Sequence, residues 1–174
     1  MQVFESLIPS GDLEQGPYFR SLIALAIGAI LSHFLTAPVV TAQLGLLPFV
    51  ITQLALIWWW YALIVKRLRN AERSFLGVTA VGLIDLFALL LLAVMLLLQF
   101  SDTSVGAAGP YIPASISLLI YPFVFLFNVL TGPSPNPQDL QVALLALAVL
   151  APLLLTIFYS LWASAQPSEL HAHE

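Results

Sequence analysis

Apolar residues run almost unbroken along this chain in long stretches, separated by short polar or proline-rich breaks. Five stretches, Phe19 to Pro38, Leu44 to Val65, Phe75 to Phe100, Tyr111 to Thr131 and Leu140 to Ala163, reach the roughly 20 residues that a helix needs to cross a hydrocarbon core of about 30 Å. Barrel strands would instead alternate in polarity over short segments of about ten residues. The pattern therefore predicts an all-α, polytopic helical membrane protein with about five transmembrane helices. Pro38 closes the first span, Pro48 sits in the first turn of the second, and Gly132-Pro133-Ser134-Pro135-Asn136-Pro137 stops the fourth. Pro110, Pro113 and Pro122 interrupt the fourth segment, which either spans or turns back as a re-entrant piece. Pro152, mid-way along the fifth, is expected to kink it.

Three regions follow: an interfacial segment over 1–18, one helical membrane domain over 19–163 and a short polar tail over 164–174. In the first, Val3, Phe4, Leu7 and Ile8 can share one face of a short helix lying on the membrane. The first nineteen residues hold Glu5, Asp12 and Glu14 and no Lys or Arg, so the first helix is expected to be retained rather than cleaved as a signal peptide.

Composition agrees with the pattern. Hydrophobic residues make up 60% of the 174 and charged residues 8%, against about a quarter charged in a soluble domain. With net charge −4 and no broad cationic face, nucleic acid is not an expected partner; the lipid bilayer and other membrane-protein subunits are. Cysteine is absent, which excludes disulfides and thiolate metal sites.

Charge then sets an orientation. Arg20, Lys66, Arg67, Arg69 and Arg73 are the five basic residues. A cytoplasmic N-terminus with five spans puts all of them inside and the C-terminus outside, as the bias of Lys and Arg toward cytoplasmic loops requires. Trp58, Trp59, Trp60 and Tyr61 precede the basic cluster and are expected in the interfacial aromatic belt.

The segment Lys66-Arg67-Leu68-Arg69-Asn70-Ala71-Glu72-Arg73-Ser74 resembles the cytoplasmic loop of a bacterial inner-membrane family known as domain of unknown function 805. Arg67, Leu68, Arg73 and Ser74 keep that family's spacing, whereas Arg69 stands where a histidine is usual. The resemblance implies a multi-pass protein of the bacterial inner membrane and no defined activity. Read from chemistry alone, the loop either orients the chain and contacts lipid headgroups, or uses Arg67, Arg69 and Arg73 to hold a partner or an anion.

Polar residues inside spans are costly and mark sites worth testing. His33, Gln53 and Asp85 lie at similar expected depths and could form one cluster, with Asp85 accepting from the other two. That cluster locks helices together in one reading and relays protons between Asp85 and His33 in another. A third reading comes from Ala29-Ile30-Leu31-Ser32-His33, which is similar to the ligating pattern of bacterial light-harvesting polypeptides and implies a chlorophyll-type pigment on His33. Asn128 and Tyr121 are expected to hydrogen-bond to neighbouring helices, and His171, His173 and Glu174 to end a tail without metal. No catalytic constellation is present in the motifs. The expected function is a non-catalytic accessory or structural subunit of a larger membrane complex, with small proton-coupled transport and pigment binding as alternatives.

Overall fold

Leu, Ile, Ala and Phe dominate the long runs, and in an apolar solvent such runs satisfy their backbone only within helices. The computed structural model describes residues 15–71, 73–101, 113–132 and 137–166, and every regular element among them is helical. Helix α1 covers Gln15–Ser32 and continues into a 3-10 turn, His33–Thr36; α2 is short, Pro38–Leu44. Then come α3, Leu47–Asn70, α4, Leu76–Ser101, α5, Ala114–Thr131, and α6, Pro137–Ala165. Pro38 and Pro48 sit in the first turns of α2 and α3, where a missing N–H is harmless. Gly45 ends α2 at φ 65°, a backbone state that favours glycine, and this reverses the chain into α3.

Four helices are long and apolar enough to cross a membrane: Gln15–Thr36, Leu47–Arg69, Leu76–Leu97 and Asp139–Ala165. The fifth expected segment forms a shorter apolar helix, Ser115–Thr131. Pro113 stands at its N-cap with extended geometry, so the helix starts at Ala114.

Two buried layers hold the bundle. Near the start of α1, Tyr18 packs with Trp60, Leu63, Ile64 and Leu68 of α3, Val78 and Val81 of α4, and Ala163 of α6. At the other end, Phe49 of α3, Leu92 and Leu96 of α4, Leu118 of α5, and Ala146 and Val149 of α6 form the second layer. The bundle thus has a near end, with Tyr18 and Ala163, and a far end, with Phe49 and Leu118. Ser115 bonds to Thr36, which places the start of α5 at the far end, roughly 27 Å of helix rise beyond Tyr18.

The described ends of the chain meet at the near end, where Gln15 Nε2 donates to the carbonyl of Ser164 at 3.2 Å. This contact forms because α6 begins at the far end, just after α5, and runs back to the near end. Residues 1–14 and 167–174, including the amphipathic Val3–Ile8 stretch and His171–Glu174, lie outside the described residues.

Close packing of α4 on α6 depends on Gly77. A Cβ there would lie 2.1 Å from Tyr159 Oη and 3.1 Å from Tyr159 Cζ. We expect Gly77→Ala to destabilise the folded protein by about 1 kcal/mol, the lower end for overpacking because a side-chain tip can swing away. Tyr159→Phe in the same chain should recover most of that loss. Unfolding titrations of the four proteins of this double-mutant cycle check it, and strictly additive effects would contradict the contact.

Candidate functional site

The last carbonyls of any helix lack partners within the helix, and a buried end must find them elsewhere. At the near end, the last turn of α6 packs into the bundle through buried Ala163, with Ser164 half-buried and Ala165 exposed. Arg67, 1% exposed on α3, donates from Nε to the carbonyl of Ala163 at 3.3 Å and from Nη2 to the carbonyl of Gln166. Gln15 supplies the donor for Ser164, and Gln166 Nε2 reaches back to Trp162 O at 3.4 Å. A cation at a helix C-terminus also meets the negative end of the dipole, so Arg67 acts as both cap and counter-charge.

One turn deeper, Ser160 joins three helices. Its Oγ accepts from Trp60 Nε1 at 2.9 Å and donates to Thr156 O at 2.7 Å, while its carbonyl accepts from the Tyr18 hydroxyl at 3.1 Å. The next turn of the same face carries Thr156, which donates from Oγ1 to Asp85 Oδ2 of α4 at 2.6 Å. A single polar stripe on α6 therefore ties it to α1, α3 and α4. Interhelical hydrogen bonds of this kind contribute about 0.6 kcal/mol each on average in membrane proteins, and more when their loss strands a buried donor.

The expected cluster of His33, Gln53 and Asp85 is not formed as one unit. Asp85 bonds to Thr156. Gln53 Nε2 donates to Ser32 Oγ at 2.7 Å, and Ser32 in turn donates to Ala29 O at 2.6 Å. His33 Nδ1 lies 2.8 Å from Ser115 Oγ, which is also 2.8 Å from Thr36 Oγ1. Counting helix rise explains the division: Asp85 lies about 10 Å beyond Val78, whereas His33 lies roughly 22 Å beyond Tyr18 of that same near layer.

Proton counting adds a detail at His33. Thr36 Oγ1 also donates to His33 O at 2.7 Å, so three contacts share two hydroxyl protons and the ring proton. All three are satisfied together only if Ser115 donates to Thr36 and His33 Nδ1–H donates to Ser115. His33 Nε2 then carries the lone pair, the form a tetrapyrrole metal would require. Phe49 packs against the ring with centroids 5.8 Å apart.

The basic cluster is divided by the fold. Lys66 and Arg67 belong to α3 and are buried, 4% and 1% exposed, whereas Arg69 and Arg73 are exposed. Arg73 falls beyond the end of α3, where its N–H donates to Leu68 O at 2.9 Å. It does not share a helical turn with Arg69, because α3 stops at Asn70. Arg67, one of the three arginines of the anion-site reading, is turned onto the end of α6. Its Nη1 and Trp59 Nε1 are the buried side-chain polar atoms without a hydrogen-bond partner among the described residues.

The aromatic run is divided in the same way. Trp60 is buried in the near layer, Trp59 is half-buried, and Trp58 is exposed with its ring 6.1 Å from that of Tyr61. Tyr61 also lies 3.4 Å from Thr79 through its hydroxyl. Tyr121 donates to Asp139 at 2.8 Å, an interhelical bond of the expected kind. At the far end an open groove of about 330 Å³ is lined by Pro38, Thr41, Ala42, Gly45, Leu46 and Leu97, none of them titratable. Ser115, Thr156 and Ser160 were not singled out from sequence. A weak signal existed for the last two, since a four-residue spacing puts them on one helix face.

Replacing Arg67 by Met should cost about 1–3 kcal/mol, because one buried and one partly buried carbonyl lose their donor. Arg69→Met, at an exposed position, should change stability by no more than about 0.5 kcal/mol. Lys at position 67 should restore only part of the loss, since an ammonium cannot span both carbonyls as the guanidinium does. Unfolding titrations in mild detergent measure all three.

No family model, curated protein or solved structure matches the chain.

Proposed function

We propose that the protein is a non-catalytic integral membrane protein acting as an accessory or structural subunit of a larger membrane complex. The observation that carries this reading is where its polar side chains are committed. His33, Gln53, Asp85, Trp60 and Arg67, the chemically capable groups of the sequence, each bond to a neighbouring part of the bundle. Meanwhile large apolar side chains such as Ile30, Phe87, Phe123, Phe127, Leu130 and Phe158 face outward. Such a molecule presents lipid and other membrane helices with surface, not with a reaction centre.

The membrane arrangement belongs to the same proposal. Helices α1, α3, α4 and α6 span, and α5 enters and leaves at the far end without crossing. All five basic residues then cluster at the near end, so the charge bias makes that end cytoplasmic and brings both termini to the same side. The Lys66–Ser74 resemblance supports a bacterial inner membrane. A proton-coupled transport role for Asp85 and His33 would need a proton to pass between groups a full layer apart.

Two experiments test the proposal. Reporters fused before Met1 and after Glu174 should both give the cytoplasmic signal; opposite signals would overturn the four-span arrangement. Purification of the tagged chain in mild detergent, with mass spectrometry and an absorption spectrum, should yield a colourless assembly with another membrane protein in fixed ratio. A lone chain would contradict the subunit role, and a tetrapyrrole spectrum would move the reading to pigment binding at His33.

A further inference from the structure

Asp85 stands in the bundle-facing stripe of α4, between Val81 and Gly82 one turn before and Ala88 and Leu89 one turn after, all four buried. Asp85 itself is only half-buried. Thr156 satisfies Oδ2 at 2.6 Å. Oδ1 has no hydrogen bond among the described residues, and it is not one of the buried atoms left without a partner, so it keeps accessible area on this half-buried side chain. Ile84 and Leu86, both exposed, flank it along α4. A carboxylate oxygen is therefore presented at the surface of a span, about 10 Å deeper than the near layer.

An acid at that depth is costly unless it is paired, and intramembrane acids generally pair with a base. Among the described residues none stands at that level. The chain's five Lys and Arg are at positions 20, 66, 67, 69 and 73, all at the near end, and His33 belongs to the far end. Arg20 of a second copy is the nearest alternative, but its backbone sits about 7 Å closer to the near interface, and side chains on α1 lean further that way.

We propose that Asp85 is the docking point for a transmembrane helix of a different protein, one that carries a Lys or Arg at matching depth. Thr156 holds one carboxylate oxygen and orients the other outward, and the incoming cation completes the pair. This deepens the subunit reading and names the chemistry of the partner. Its test uses a synthetic helix, so the pairing and the native complex can fail independently.

The experiment reconstitutes the labelled full-length protein in vesicles with poly-leucine transmembrane peptides. One peptide bears a single Lys about 10 Å from the level of the near layer, one bears Gln there and one only Leu, and association is read by energy transfer. The Lys peptide should bind about tenfold tighter than the Leu peptide, equivalent to about 1.4 kcal/mol. Asp85→Asn, which keeps an acceptor for Thr156, should abolish that preference; Thr156→Ala, which keeps the carboxylate, should retain most of it. Equal binding of all peptides, or an unchanged preference in Asp85→Asn, would overturn the proposal. So would self-association of the wild-type chain that is lost in both Asp85→Asn and Arg20→Gln, since the occupant would then be a second copy.

Discussion

A helix end buried in a bundle leaves carbonyl oxygens that must be bonded, and the rest of this structure depends on how α6 meets that demand. Arg67 reaches across from α3 and Gln15 from α1 to bond the last turn of α6 and the residue that follows it. With those donors in place, α6 must return to the end where α1 begins and α3 finishes. The remaining polar contacts of its face, Ser160 with Tyr18 and Trp60 and Thr156 with Asp85, then come into register turn by turn. Without the cap, one buried cation and several carbonyls would all lose their partners, a combined cost that few membrane contacts could offset.

This arrangement changes what the basic cluster means. Residues that orient the chain by charge are usually pictured as facing water and headgroups. Here the cluster divides by helix geometry: Arg69 and Arg73 remain outside, while Lys66 and Arg67 turn into the bundle. One short segment both carries most of the chain's positive charge and closes the fold.

Much of the architecture was legible in the sequence because lipid imposes a simple rule. Long apolar runs must be helices, and four of the five expected spans coincide with the helices long enough to cross, with Pro48 at the expected first turn. The path of the chain between them was not legible. Residues Tyr111 to Thr131 are as apolar as any span, yet the apolar helix described within them is the shorter Ser115–Thr131, whose first residue bonds to Thr36. Counting basic residues cannot detect that difference, since α5 carries none.

The polar pairing was hidden for another reason. Membrane Ser and Thr can satisfy themselves on the carbonyl one turn back, as Thr52 does on Pro48 and Thr131 on Phe127, so their presence alone does not mark a contact. Depth estimates grouped Asp85 with His33 because they were counted from assumed span ends, whereas Asp85 belongs with Thr156. The return of α6 to the start of α1 is open to one direct measurement. The chain has no cysteine, so Gln15→Cys and Ser164→Cys can be introduced together and treated in native membranes with a bismaleimide far shorter than the hydrocarbon core of about 30 Å. An intramolecular cross-link is the predicted result; its absence, with each single cysteine freely modified by the same reagent, would contradict the fold.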